Sequence, residues 1–225
     1  IFGAKAAPGY AVAKKIISFI SALAKTVNSD PAVNKFMKVI FVENYSVTEA
    51  ELLMPAAEIS QQISLAGTEA SGTGNMKLMI IGAITLGTMD GANIEIHDAV
   101  GKDNIIIFGM TTPEVNQLKA NGYNPGNYYM NNPTLKSAID YLNTHTFDGK
   151  SFPEIGETIK HHDPYMCLAD FADYYLAERH AEELYTQPDK FLKMSLANIA
   201  NAGIFAADRS IADYARDIWH TAPVK

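Results

Sequence analysis

Short apolar runs alternate with helical patterns through the first half of the chain. The runs at 39–42 (VIFV) and 105–108 (IIIF) contain no polar side chain, which is typical of strands that are buried on both faces, as in parallel sheets. The segments between them place apolar residues at helical spacing. The alternation predicts βαβ units, in which helices cover a parallel sheet. We therefore expect an α/β fold with a Rossmann-like parallel sheet flanked by helices.

Helical patterns dominate the second half. The first helix is predicted over 10–28, and the later ones lie at 113–121, 133–143, 153–162, 170–186, 188–201 and 208–219. Asn93–Ile96 is predicted to be a strand and 121–132 a loop. The opening residues, Ile1-Phe2-Gly3, look like the end of a buried strand, so we expect the fold to begin upstream of them. We predict one α/β lobe over 1–205 and a helical C-terminal extension over 206–225.

Charge and cysteine content exclude several classes of function. Lys and Arg number 18 against 25 Asp and Glu, a formal charge of −7, so an extended basic surface for nucleic acid is not expected. Hydrophobic residues make up 48 %, which excludes a disordered chain, yet no run approaches the roughly 20 apolar residues of a membrane span. The single cysteine, Cys167, excludes an intrachain disulfide and fits a reducing, cytoplasmic location. No group of residues has the spacing of a metal site.

The most informative stretch is 67–77, which reads GTEASGTGNMK. Two glycines flank Thr73 immediately before a predicted helix, and glycine lets backbone N–H groups approach an anion closely. Lys77 follows Thr73 by four residues, so it lies on the same helical face, one turn further on. Its apolar neighbours predict a buried amine, which could attach an aldehyde covalently. The pattern favours a phosphate site more strongly than a covalent lysine cofactor, and a purely structural turn is the alternative.

Longer motifs make a family resemblance specific. EASGTGNMK at 69–77 and GTMDGAN at 87–93 resemble the α-glucan phosphorylases, a family that includes glycogen, starch and maltodextrin phosphorylases. Further matching pieces occur in the same order, namely KAAPGY, ENY, PAAEISQQIS, NIIIFGM and DRSIADYARDIW. The resemblance covers essentially the whole chain.

The resemblance implies a reaction and a set of partners. Family members have two lobes in the GT-B glycosyltransferase arrangement, and this chain resembles most of the C-terminal lobe. They cleave terminal α-1,4-linked glucose from a glucan with inorganic phosphate and release glucose 1-phosphate with retention of configuration. They carry pyridoxal 5'-phosphate as a Schiff base, and its phosphate takes part in proton transfer. The expected partners are therefore the glucan, phosphate, the N-terminal lobe and a second subunit in a homodimer, with no nucleic acid and no membrane.

The resemblance also assigns roles to individual residues. Lys77 resembles the catalytic-site lysine that holds the cofactor, and Thr73 and Gly74 resemble donors to the cofactor phosphate. Three residues, Glu69, Ser71 and Gly72, resemble those that bind sugar hydroxyls. The resemblance places Tyr45 and Glu51 beside the cofactor ring and Tyr10 at the mouth of the catalytic cleft. No metal is implied.

Two positions depart from the family pattern. Ser46 stands where muscle-type members have a basic residue, and Ile81 stands where an asparagine is expected. The family's basic segment for the substrate phosphate lies upstream of Ile1, so we expect the isolated chain to be inactive. The alternative function is a non-catalytic domain that binds phosphate or a sugar phosphate.

Overall fold

The computed structural model describes residues 1–222 of the 225-residue chain. It is an α/β structure with parallel strands and flanking helices, so the predicted fold class is confirmed. The chain divides into two compact units. The first comprises residues 1–53 and 123–172, and the second comprises 54–122 and 173–225, of which 223–225 lie outside the described residues.

The first unit is mainly helical. Strand β1 (Phe2–Gly3) pairs in parallel with β2 (Phe41–Val42). Its helices are α1 (Ala11–Ser29), α2 (Val47–Leu53), α6 (Pro125–Asn131), α7 (Pro133–Thr144), α8 (Pro153–His161) and the start of α9 (Cys167–Tyr185). One core cluster joins Ala22 of α1 to Phe147 and Phe152, and a second joins Leu135 and Ile139 of α7 to Leu168.

The second unit contains the three-stranded sheet. Its strands β3 (Ile59–Gln62), β4 (Ile84–Gly87) and β5 (Ile106–Ile107) are all parallel and lie in that order. Its helices are α3 (Gly74–Ile80), α4 (Asn93–Val100), α5 (Thr112–Ala120), the rest of α9, α10 (Pro188–Asn201) and α11 (Ala207–Asp213), which continues as a π-helical turn over Tyr214–Trp219.

The central strand β4 anchors the core of the second unit. Ile84 and Leu86 are fully buried and pack with Leu184 of α9 and Met194 of α10. Met79 of α3 and Ile96 of α4 are also fully buried, in a neighbouring cluster. Each such side chain contributes about 1.5–3 kcal/mol relative to exposure, so α3 and α4 are firmly held against the sheet.

The strand predicted at Asn93–Ile96 is wrong, because these residues begin helix α4. Ile94 and Ile96 alternate with polar residues, which imitates the period of a strand. The residues that are buried, however, are Asn93, Ile96 and Val100, whose spacing is helical.

The loop predicted over 121–132 is also wrong, because it contains helix α6. The Asn124 side chain accepts a hydrogen bond from the N–H of Gly126 at 3.0 Å, and Pro125 occupies the first helical position. Asparagine followed by proline is a turn signal, but the same pair starts a helix efficiently. The tyrosines of this region pack within the unit, and the Tyr129 hydroxyl donates to Asp140 at 2.5 Å.

Among the described residues, no helix combines the length and apolar character needed to cross a bilayer. The expected packing of 206–225 towards another lobe stays a prediction, and its last three residues lie outside the described part.

Candidate active site

Two loops leave the three-stranded sheet at the carboxyl end of its strands. Strand β3 ends at Gln62 and β4 ends at Gly87, and these two residues are paired in register. Because the strands are parallel, the segments 63–73 and 88–92 emerge side by side at the carboxyl end of the sheet. Ligands of open α/β sheets bind at this edge.

The glycine-rich turn leads into α3 as the sequence predicts. The helix begins at Gly74, one residue earlier than expected, and the backbone N–H of Lys77 donates to the carbonyl of Thr73 at 3.2 Å. Thr73 does not cap the helix with its side chain. The predicted spacing of one helical turn between Thr73 and Lys77 is therefore present.

Lys77 is exposed, so the prediction of a buried amine is wrong. Helix α3 turns Asn75 and Met79 inward, and Lys77 lies halfway between them in sequence, on the opposite side of the helix. Within residues 1–222, no side chain or carbonyl is hydrogen-bonded to its ammonium group. The amine is consequently accessible to a ligand.

A buried carboxylate organises the loop that follows β3. Asp90 is 4 % exposed and accepts three hydrogen bonds from that loop. The donors are the hydroxyl of Ser64 at 2.8 Å, the N–H of Gly67 at 2.8 Å and the N–H of Glu69 at 2.9 Å. Such bonds compensate the cost of burying a charge.

Gly91 and Ala92 bring the loop at 88–92 into contact with the loop at 63–73. The N–H of Ala92 donates to the carbonyl of Ser71 at 2.7 Å. Gly91 has φ +51°, and a Cβ there would lie 2.4 Å from the Ser71 oxygen and 3.1 Å from Cγ of Glu69. No larger residue fits, so the glycine is required by this close approach.

A pair of buried asparagines fixes the start of α3. Asn75 donates from Nδ2 to Oδ1 of Asn93 at 3.0 Å. Asn93 in turn donates to the carbonyls of Thr88 at 3.0 Å and Gln62 at 3.2 Å, which connects α3 and α4 to the end of the sheet.

A small cavity of about 130 Å³ lies among these groups. It brings together the three residues predicted to bind sugar, Glu69, Ser71 and Gly72, with the network residues Asn75, Asp90 and Asn93, and its wall is completed by Gln61, Gln62, Ile63 and Ser64. The predicted cofactor residues Thr73, Gly74 and Lys77 are outside its lining. The residues predicted to bind sugar and those predicted to bind the cofactor therefore lie in neighbouring but distinct parts of one loop and helix.

Three predicted site residues belong to the first unit. Tyr10 immediately precedes α1 and is exposed, and a hydrogen bond with Tyr165 raises the pKa of its phenol. The ring of Tyr45 lies over Gly3, where a Cβ would be 2.9 Å from the ring. Glu51 is an exposed residue of α2. The roles of Tyr45 and Glu51 beside a cofactor ring and of Tyr10 at the mouth of a catalytic cleft stay predictions.

The two departures from the family pattern have clear local settings. The Ser46 hydroxyl donates to the carboxylate of Glu49, which lowers the pKa of that carboxyl, and the pair lies at the start of α2. Ile81 is half-buried and directly follows α3.

Sequence reasoning overlooked the residues that hold the loops. Asp90, Gly91 and Asn93 lie in the GTMDGAN motif and Asn75 in EASGTGNMK, but the sequence assigns none of them an individual role. The available signal was a polar Asp-Gly-Ala-Asn sequence directly after an apolar strand, which places hydrogen-bonding groups at the ligand-binding edge.

A sequence model of the carbohydrate phosphorylases matches residues 1–221. The chain belongs to the carbohydrate phosphorylase family. It is 47 % identical to the muscle form of glycogen phosphorylase from Rattus norvegicus over 99 % of its length and 46 % identical to the human brain form over the same share. It is also 45 % identical to glycogen phosphorylase from the cyanobacterium Synechocystis over 100 % of its length.

The chain spans about 27 % of the length of these relatives. Among residues 1–222, no group of three or more His, Cys, Asp or Glu side chains is placed to hold a metal ion.

Proposed function

We propose that this chain supplies the cofactor-binding and sugar-binding part of a glucan phosphorylase. The whole enzyme cleaves terminal α-1,4-glucosyl units with inorganic phosphate and releases glucose 1-phosphate with retention of configuration. The proposal rests on the glycine-rich turn that opens α3, with the accessible amine of Lys77 one turn inside the helix. The names of the similar proteins, which are glycogen phosphorylases, supply the substrate class.

The residues at the start of α3 fit pyridoxal 5'-phosphate. Thr73 offers a hydroxyl that caps nothing, and Gly74 offers an N–H at the positive end of a helix, both suited to a phosphate. Lys77 offers an amine that no described residue occupies, as covalent attachment of an aldehyde requires. When bound, the cofactor supplies a phosphate that can exchange a proton with the substrate phosphate.

The adjacent loop fits a sugar. Glu69 presents a carboxylate that can accept a hydrogen bond from a hydroxyl, and Ser71 and Gly72 present hydroxyl and backbone groups to the same cavity. Sugar hydroxyls both donate and accept hydrogen bonds, so this mixture holds a neutral polyol in one orientation. The chain's own residues thus bind and orient the glucosyl unit next to the cofactor position.

The remaining parts of the site are proposed to come from elsewhere in the enzyme. The chain covers about a quarter of its relatives' length, and the resemblance places the cationic groups for the substrate phosphate upstream of Ile1. We therefore propose that the isolated chain is inactive and that the whole enzyme is a cytoplasmic homodimer with two lobes.

Borohydride trapping tests the cofactor assignment. A phosphorylase of full family length containing this chain is incubated with pyridoxal phosphate, reduced, digested and mapped by mass spectrometry. We expect the label on Lys77 and its loss in Lys77→Met, whereas Lys102→Met, at another exposed lysine of the second unit, keeps it. A label on any other lysine would refute the assignment.

Calorimetric titration of the isolated chain with glucose 1-phosphate separates the two functions. The proposed enzyme part binds it weakly, because groups from the rest of the enzyme are needed. Tight binding to the 225-residue chain alone, together with no phosphorolysis by the full-length protein, would favour a non-catalytic sugar-phosphate domain.

A further inference from the structure

We propose that Asp90 and Gly91 are positioning residues for sugar recognition, and that they act through Glu69 independently of the cofactor half of the site. This inference rests on the proposed function, because it assumes that Glu69 binds a sugar hydroxyl. Neither residue is assigned a direct contact with substrate or cofactor.

Asp90 fixes the main chain of Glu69 and leaves its side chain available. The Asp90 carboxylate is buried and accepts the N–H of Glu69 at 2.9 Å, while the N–H of Gly67 and the hydroxyl of Ser64 complete its coordination. The carboxylate of Glu69 is exposed and has no hydrogen-bond partner within residues 1–222. The peptide is therefore held in place while the functional group remains free for a ligand.

Gly91 determines how closely the loop that carries Glu69 and Ser71 approaches the start of α4. Its missing side chain leaves room for the Ser71 carbonyl, which accepts from Ala92, and for Cγ of Glu69. A methyl group at this position would push both Glu69 and Ser71 away from their places beside the cavity. The two neighbouring residues thus act on the loop in different ways, one by hydrogen bonding and the other by shape.

The residues predicted to bind the cofactor, Thr73, Gly74 and Lys77, are held in place by a different set of contacts. Helix α3 is anchored by the Asn75–Asn93 hydrogen bond and by the buried side chain of Met79, neither of which involves the Asp90 carboxylate. The N–H of Asn93 donates to the Asp90 carbonyl at 3.1 Å, a main-chain bond that Asp90→Asn keeps. Between the halves lies Gly72, with φ +84°, where the chain changes direction. A disturbance of the Glu69 loop should consequently leave Lys77 in place.

The test compares Asp90→Asn and Gly91→Ala with matched controls in the full-length enzyme. Asp90→Asn keeps the shape but turns an N–H₂ group towards backbone donors. Its control is Asp103→Asn, at an exposed carboxylate of the same unit. The control for Gly91→Ala is Gly101→Ala, which also has positive φ (+77°) but meets no atom within 4 Å.

We expect both variants to raise the KM for glucose 1-phosphate roughly tenfold relative to their controls, because Asp90→Asn weakens charge-assisted hydrogen bonds to the loop and Gly91→Ala displaces Glu69 and Ser71. Bound pyridoxal phosphate should stay at the control level. Amide hydrogen exchange at Gly67 and Glu69 should accelerate at least about tenfold in Asp90→Asn, while exchange at Lys77 stays unchanged.

A KM equal to that of the controls would overturn the positioning role, and loss of the cofactor together with sugar affinity would overturn its independence. Should Asp90→Asn fail to fold, Gly91→Ala decides the matter, because its Cβ displaces Ser71 and Glu69 while the Asp90 carboxylate is kept. A raised KM with normal cofactor content in that variant supports the role, and an unchanged KM overturns it. The exchange measurement requires no activity, so an inactive wild-type enzyme would refute the proposed function without deciding whether Asp90 holds the loop.

Discussion

The backbone N–H of Ala92 donates to the carbonyl of Ser71 over 2.7 Å. This bond connects the EASGTGNMK motif at 69–77 to the GTMDGAN motif at 87–93. Ser71 precedes the turn that opens α3, whereas Ala92 directly precedes α4. Because the bond joins main-chain groups, it depends on the path of both loops and not on the identity of either side chain. Substitutions that alter these paths should therefore displace Glu69 and Ser71 relative to the start of α4.

Asn93→Ala should destabilise the chain by about 1–3 kcal/mol, because it removes three buried hydrogen bonds and leaves the side-chain amide of Asn75 without its partner. Asn116→Ala is the matched control, since Asn116 is an exposed residue within α5. Urea denaturation followed by circular dichroism measures the difference. Equal stability of the two variants would show that the asparagine pair contributes nothing.

Gly87→Ala should destabilise the end of β4 by about 1–3 kcal/mol through overpacking. The new Cβ would lie 2.5 Å from the carbonyl oxygen of Gln62 and 2.8 Å from Nδ2 of Asn93. Gly203→Ala, where no atom lies within 4 Å, should unfold like the wild type. Thermal unfolding of the 225-residue chain distinguishes them, and an unaltered midpoint for Gly87→Ala would contradict the close approach.

Met79→Ala should cost about 2–5 kcal/mol, because a fully buried side chain is removed from the core behind α3. The adjacent Ile80 is 50 % exposed, so Ile80→Ala should have a much smaller effect. Comparing the two by denaturant unfolding tests which face of α3 packs inward. A larger loss of stability for Ile80→Ala than for Met79→Ala would contradict the inward orientation of Met79.

Alkylation of Cys167 should be slow and strongly pH-dependent. Cys167 is exposed as a residue, but neighbouring atoms crowd its thiol. This partial burial, followed by the nearby carboxylate of Asp163, raises the pKa of the thiol to about 11 from an ordinary 9.0. Only the thiolate reacts, so at pH 8 its rate with iodoacetamide should be about 100-fold below that of the urea-unfolded chain, and it should rise until pH 11 is passed.

Asp163→Asn removes the negative charge beside this thiol, so the midpoint of the alkylation profile should move to lower pH. Asp173→Asn, at an exposed carboxylate of α9, should leave the midpoint in place. A wild-type midpoint at or below pH 9 would contradict the raised pKa.

The sequence was sufficient for the fold class and for the turn that opens α3. Both apolar runs contributed parallel strands, but only the run at 105–108 is largely buried. Strand β2 is half-buried and Ile40 beside it is exposed, so burial on both faces is wrong for the run at 39–42. The position of Lys77 one helical turn after Thr73 was also predictable, because helical geometry fixes it once the helix starts.

Local pattern was insufficient where tertiary packing decides between two periods. The alternation of Ile94 and Ile96 with polar residues is compatible with either a strand or a helix, and the burial of Asn93 and Val100 resolves it. The exposure of Lys77 likewise depends on which face of a short apolar helix meets the sheet. The role of Asp90 could not be deduced, because its partners come from a loop that is distant in sequence.

The pairing of Gln62 with Gly87 has a consequence beyond the stability of the sheet. Each residue of a strand advances the chain by about 3.3 Å, which is more than the tolerance of a hydrogen bond. A slip of one position between β3 and β4 would carry Asp90 out of reach of the amides it holds, even if every side chain were kept. The proposed recognition of a sugar therefore depends partly on strand alignment, several residues away from the groups proposed to bind it.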